Sequence, residues 1–359
     1  MTPETFITSL PAWALAPEME NGADSITVMS GARARRNIAG FAFPRKCGKS
    51  GLYDLAAITL DAIGQADPWR GGDFRMVDKL GSMERGLLAE VGMMTPLLAN
   101  GGPGRFVMRD EKSSMTCMIN EEDHISVIAA RAGLDTRNAA EAACKIDDVG
   151  LNFVNDSLLG YLTANPSYAG SGVTVSVSLH LPALEMSGDM PMVCDSFARD
   201  WKNLSLNKLA AEKAGQIGQY DEFGSFFTVS NRTTLSTSPA EAAARVSDAA
   251  GALASKELFV RQKLLASRGS DAEDAIWRAW GVLRHARRLS LCESIKMLSL
   301  AKLGSDLGIL PRIPNRDWKV LCIRVRKYHL MSEYGDIKNE SDEASARAER
   351  FREFMTRIG

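Results

Sequence analysis

A chain of 359 residues with 45% hydrophobic and 24% charged side chains can bury the core of one large or two medium domains, which excludes disorder as its resting state. Its 43 Lys and Arg nearly cancel its 44 Asp and Glu, so no global charge draws it to nucleic acid or to an anionic membrane surface. Six scattered cysteines without a C-x-x-C pair and only four histidines argue against a zinc cluster or a disulfide framework, and read as reduced, mostly buried thiols.

The N-terminal stretch is acidic where a secretory signal needs a basic start, and Pro11 and Pro17 interrupt its apolar run, which points to a cytoplasmic protein. No uncharged apolar stretch approaches the roughly 20 residues of a spanning helix. Arg33, Arg35 and Arg36 form a basic knot that composition alone reads as a solvated face. Gly48-Lys49-Ser50 imitates the end of a P-loop, but Phe43 stands where that motif needs its first glycine. Gly101-Gly102-Pro103-Gly104 reads as a plain turn, because Pro103 removes a donor and no helix start follows.

Strand character begins at Met115–Ile119 and is clearest in Val173–Leu181, where Val173, Val175, Val177, Leu179 and Leu181 alternate with Thr174, Ser176, Ser178 and His180. Phe226–Val229 is a third strand. The first and last of these run into polar clusters, Asn120 to His124 and Ser230-Asn231, which are well placed to line a cleft. In the first cluster Glu121, Glu122 and Asp123 repel one another unless a cation or guanidinium sits among them. The alternative is an exposed acidic turn.

Ser238-Pro239-Ala240-Glu241 has the spacing of a capping box with Pro at the first helical position, and the alanine-rich helix that follows should close the sheet-bearing part. Long amphipathic helices then take over. Ile276, Ala279, Trp280 and Leu283 share one face, Ser290 and Glu293 form a second capping box, and Gly304 is a plausible stop. A last helix aligns Ala344, Ala348, Phe351 and Met355, with Arg347, Arg350 and Arg352 largely off that face. These signals divide the chain into residues 1–255, an α+β catalytic-type domain, and 256–359, a helical C-terminal domain.

Five segments together resemble the bacterial protein-arginine kinases (McsB type) of the ATP:guanido phosphotransferase superfamily. They are MINEEDH at 118–124, GYLTANP at 160–166, SGVTVSVSLHLPAL at 171–184, FTVSNRTTL at 227–235 and the stretch WRAWGVLRHARRLSLCESIKMLSLAKLGSDLGIL at 277–310. The resemblance implies an antiparallel sheet flanked by helices, on which Mg-ATP lies with its phosphates gripped by arginines. It assigns Glu122 to orienting and deprotonating an acceptor guanidinium, a group that becomes nucleophilic only when a carboxylate takes its proton. Glu121, the second catalytic acid, and Asp123 would sit near magnesium and its waters, and Arg33, Lys213 and Asn231 would belong to the nucleotide site.

The chain departs from the family at several of those positions. Against the family pattern S-S-R-x-R-x-x-R-N it keeps Arg33 and Arg36 but has Gly31 for the first arginine. Gly92 replaces a histidine that stacks on nucleotide, Ser126 and Thr174 replace arginines, and Asn165 replaces a cysteine. Lys213 stands for another phosphate arginine and Gly218 for an acidic residue that shares the guanidinium. Each charge-assisted hydrogen bond to phosphate contributes on the order of 1.5 to 3 kcal/mol, so about three lost arginines weaken triphosphate binding by roughly 4 to 9 kcal/mol, or three to six decades. In the C-terminal domain Asp342 matches an E-R-D-I-R-R-A motif that binds phosphoarginine, whereas Ser341 and Ser345 replace its arginines.

Three functions follow from the resemblance. A degenerate pseudokinase would act as a regulatory or scaffold partner, with protein clients or a protease-adaptor system and a homodimer through the C-terminal helices. A divergent active protein-arginine kinase would use Mg-ATP with rearranged cations. An arginine-peptide binding module needs only the acidic pocket.

Overall fold

The structure, a computed structural model, describes residues 10–17, 25–110, 112, 114–212, 220–266 and 271–359. A short helix α1 (Ala12–Leu15) precedes strand β1 (Thr27–Arg36), helix α2 (Lys49–Gln65), strand β2 (Asp73–Met76), and helices α3 (Ser82–Glu90) and α4 (Pro96–Ala99). The meander β3 (Phe106–Arg109), β4 (Met115–Ile119) and β5 (Ile125–Ala132) leads to helix α5 (Thr136–Cys144) and the two-stranded ribbon β6 (Asn155–Asp156) and β7 (Gly160–Tyr161). Strand β8 (Val173–His180), helices α6 (Pro182–Met186) and α7 (Met190–Asp200), and strands β9 (Leu204–Glu212) and β10 (Tyr220–Asn231) follow. The remainder is helical: α8 (Pro239–Ala266), α9 (Asp271–His285), α10 (Leu291–Asp306), α11 (Asn315–Arg324), α12 (Lys327–Tyr334) and α13 (Glu340–Ile358).

Eight strands form one sheet in the order β2-β3-β4-β5-β1-β8-β10-β9, with β2–β3, β3–β4, β4–β5 and β5–β1 paired antiparallel. This is the antiparallel sheet with flanking helices and a helical C-terminal region that the resemblance implies. Sequence explains the strands. All five residues of β4 are buried, and β8 alternates as read through Ser178, with Val173, Val175, Val177 and Leu179 fully enclosed and Thr174, Ser176 and Ser178 half-exposed, whereas His180, read on the polar face, is fully buried. The strand read at Phe226–Val229 is longer, because β10 continues through Gly224 and Ser225 before it and through Ser230 and Asn231 after it, which carry no apolar signal.

By compactness the chain falls into two units: Met1–Ala14, Met29–Val177 and Ser230–Asp248 in one, and Leu15–Val28, Ser178–Val229 and Ala249–Gly359 in the other. Residue 255 lies inside α8, whose N-terminus carries the expected capping box: the Ser238 hydroxyl accepts from Glu241 N–H at 3.2 Å, and the Glu241 carboxylate accepts from Ser238 N–H at 2.8 Å.

In the second unit α9 packs against α10 and α13, burying Ile276, Ala279, Trp280 and Leu283. Three expectations are corrected. Gly304 is no stop: α10 runs on to Asp306, and Gly304 is buried where any β-carbon would collide with the Ile276 side chain, while Gly308, at φ +70°, makes the turn. Arg347 does not lie off the apolar face of α13 but is buried, donating to the carbonyls of Val325 at 2.8 Å and Leu289 at 2.9 Å and pairing with Glu343. Of the six thiols, none is in a disulfide but only Cys117 is fully buried, and Cys194 is exposed. No helix among the described residues is long and apolar enough to cross a membrane.

Candidate functional site

The acidic cluster is the turn of the β4–β5 hairpin. Ile119 pairs with Ile125, and Asn120 N–H donates to His124 C=O at 2.9 Å, closing a five-residue loop. Asn120 enters it at φ +57°, a left-handed conformation that Asn tolerates better than most residues. Its side-chain amide holds the geometry by donating to the carbonyls of Leu52 and Gly104, each at 2.8 Å.

Within the loop the acids are kept apart by separate partners. Glu121, 4% exposed, accepts hydrogen bonds from the Arg33 guanidinium and the Thr95 hydroxyl. Asp123 is fully buried; its Oδ1 accepts from Asn37 Nδ2 at 2.7 Å and Ala164 N–H at 2.6 Å, and its Oδ2 is buried without a partner. His124 is locked as the neutral ring: Nδ1 accepts from Ile38 N–H at 3.0 Å, so Nε2 carries the proton and donates to Ala42 C=O at 2.9 Å. Burial pushes its pKa below the ordinary 6.5. Of the two open readings the partnered cluster holds. Glu122 alone is half-buried and makes no hydrogen bond among the described residues, which leaves its carboxylate available to a guanidinium from outside.

The neighbouring strand supplies the cations. Alternation along β1 puts Gly31, Arg33 and Arg35 on one face, opposite Ala130, Ile128 and Ser126 of β5. Arg33 donates through Nε to Ser126 Oγ at 2.6 Å besides pairing with Glu121. Arg35, 5% exposed, donates through Nη1 to the Thr174 hydroxyl at 3.1 Å and lies over the Tyr168 ring, 3.8 Å from its centroid. Arg36 points to the other face, where it makes a two-pronged ion pair with Asp147 at 2.6 and 2.8 Å and covers the Tyr161 ring. The basic knot is therefore split across the sheet, not a solvated surface.

The remaining expected positions are distributed as follows. Gly31, Ser126 and Thr174 line the Arg33 face and bring no charge to it; Ser126 is fully buried, and a β-carbon on Gly31 would come 3.3 Å from Ser176 Oγ. Gly92 is exposed at φ +75°, two residues past the end of α3. Asn165 caps a short turn, accepting from Ser167 N–H at 3.1 Å. Asn231 spends its amide on backbone, accepting from Val175 N–H at 2.7 Å and donating to Val173 and Thr233 C=O. Lys213 and Gly218 lie outside the described residues. Arg131 and Lys145 line a separate cavity of about 800 Å³ with Asp110 and Asp148.

No group of three or more His, Cys, Asp and Glu side chains suited to a metal occurs among the described residues. Glu122 is the carboxylate open to a magnesium ion, or its waters, arriving with phosphate, whereas Asp123 Oδ2 is unpartnered but enclosed. Sequence reasoning gave no role to Thr95, Asn37 or Tyr168; of these only Asn37 carried a signal, as the last residue of the R-x-x-R-N pattern.

Comparison with known proteins matches residues 57–258 to the ATP:guanido phosphotransferase C-terminal catalytic domain and residues 269–359 to the protein-arginine kinase McsB C-terminal domain. The chain is 30% identical over 343 residues to a protein-arginine kinase of Syntrophomonas wolfei, covering 91% of each chain. It is 28% identical to one of Halothermothrix orenii, covering 90% of this chain and 91% of that one. Among solved structures it resembles the duplicated taurocyamine kinase of Schistosoma mansoni with bound transition state analog components, with a TM-score of 0.56 at 18% identity over 75% of this chain and 38% of that one.

Proposed function

Because the chain belongs to the protein-arginine kinase family of ATP:guanido phosphotransferases, we propose that it is a pseudokinase, keeping the family's guanidinium-recognising carboxylate but unable to transfer phosphate, and acting as a regulatory or scaffold partner of other proteins. One observation carries the reading: the Arg33 guanidinium is already committed to Glu121 and Ser126, while Gly31, Ser126 and Thr174 add no cation to its face. Phosphoryl transfer spreads negative charge over the equatorial oxygens and needs several unencumbered cations at once. A face with two guanidinium groups, one neutralised by a buried carboxylate, falls short of that.

Glu122 retains a role in this reading. A half-buried carboxylate without an internal partner, set beside two committed acids, can take a two-pronged hydrogen bond from an arginine side chain. The chain then captures arginine-bearing segments of protein clients or of a protease-adaptor system without modifying them, as a homodimer through its C-terminal helices. Incubation with Mg-ATP and an arginine-rich protein, followed by phosphoarginine detection, is expected to give no signal above that of Glu122→Gln, whereas arginine-peptide binding is expected to drop at least about tenfold in that variant. Phosphoarginine formed only when Glu122 is present would establish an active, divergent kinase instead.

A further inference from the structure

Arg35 is a buried cation without a counterion. No carboxylate lies within 4.0 Å of it among the described residues; Glu122 and Asp123 are near enough to act on it only through space. Of its donors only Nη1 is engaged, by the Thr174 hydroxyl; Nε is buried with no acceptor, and Nη2 finds none among the described residues. The free edge, Nε with Nη2, is the fork that matches two oxygens of one phosphate. The Tyr168 ring and Thr174 fix the guanidinium plane, so that edge is held in position in advance. Burial, and after it the neighbouring Arg33 charge, lower the Arg35 pKa to about 10, which still leaves it charged at neutral pH and short of a negative partner.

We propose that Arg35, a position the family pattern leaves open, is a phosphate ligand that holds a phosphate-bearing molecule on the β1 face, where Arg33 is committed to Glu121. The ligand class is a phosphate or pyrophosphate group, free or carried by a nucleotide. The proposal rests on the family reading only for the idea that this face meets phosphate. Its test reads binding and not transfer, so either can fail without the other.

The Thr174 hydroxyl touches the Arg35 guanidinium, so an arginine issuing from position 174 would pass beside it and carry its own head group toward the same phosphate. One guanidinium can therefore substitute for the other across adjacent strands.

The test is calorimetric titration of the full chain with pyrophosphate, ADP and adenosine. Binding of pyrophosphate and ADP alike, with none of adenosine, is expected for a phosphate site; adenosine binding alone would overturn the proposal. Arg35→Gln is expected to weaken pyrophosphate binding at least about tenfold, and Arg35→Lys less. The double variant Arg35→Gln, Thr174→Arg is expected to recover most of the loss, a rescue that a merely structural arginine would not show. Unchanged affinity in a folded Arg35→Gln protein, or no binding of either phosphate ligand to the wild-type chain at millimolar concentration, would sink it. Should Arg35→Gln not fold, Thr174→Arg in the wild-type background serves: a second guanidinium aimed at the same phosphate is expected to tighten binding, and weaker or unchanged binding would count against the proposal.

Discussion

At the residue scale the site is a set of mutual dependencies. Glu121 is buried and its charge is offset chiefly by Arg33, whose own guanidinium reaches solvent with 22% of its side chain exposed. Removing one member of such a pair leaves an uncompensated charge, so Arg33→Ala is expected to destabilise the protein by about 3 kcal/mol in urea unfolding, the low end for a buried pair. Adding Glu121→Gln should return part of that loss, since the stranded charge goes with it. The two inward-held imidazoles set a pH dependence. His124 and His180 both have pKa values lowered by burial, so between the depressed values and the ordinary 6.5 the unfolded chain binds more protons than the folded one. Their stability contribution is full above that ordinary value and is lost as pH falls through the window beneath it. The urea midpoint is therefore expected to drop between about pH 7.5 and pH 5, and His124→Asn to flatten the fall. Residue identities were readable from sequence where a motif fixed them, as for Glu122 and Arg33. Their partners were not, because Thr95 and Asn37 reach the turn from segments 26 and 86 residues away, and no local pattern encodes such a pairing.

At the element scale the alternation of β8, the capping box of α8 and the buried face of α9 were legible, because period and cap chemistry are local properties. Gly304 and Arg347 were misread for one reason. A glycine near a helix end resembles a terminator, and an arginine beside an apolar stripe resembles a surface residue, until the neighbouring helix is known. α9 approaches α10 closely enough to need a residue without a side chain at Gly304, and the carbonyls of Val325 and Leu289 with the Glu343 carboxylate make burying Arg347 favourable. Gly304→Ala is accordingly expected to cost about 1 to 3 kcal/mol by overpacking, despite Ala's better helix propensity. A thermal melt of the variant checks this, and an unchanged midpoint would mean the helices separate freely.

At the scale of the whole molecule, family membership was legible from five collinear segments, whereas the surroundings of the uncharged residues at 31, 126 and 174 were not. Sequence counts the missing cations; only the sheet register shows that Arg33 is spent on Glu121 and Ser126 and that Arg35 stands beside Thr174. If the chain associates through its C-terminal helices, sedimentation velocity at rising concentration is expected to show a dimer, and a single monomer boundary throughout would reject that arrangement. The Ser126 hydroxyl has an engineering implication as well. It is fully buried and serves as acceptor for Arg33 Nε, so an arginine placed at that position would have to displace its neighbour from an enclosed space. Adding a cation to this face by one substitution there is thus opposed by the core itself, and a fuller phosphate cradle would demand coordinated changes on two strands at once.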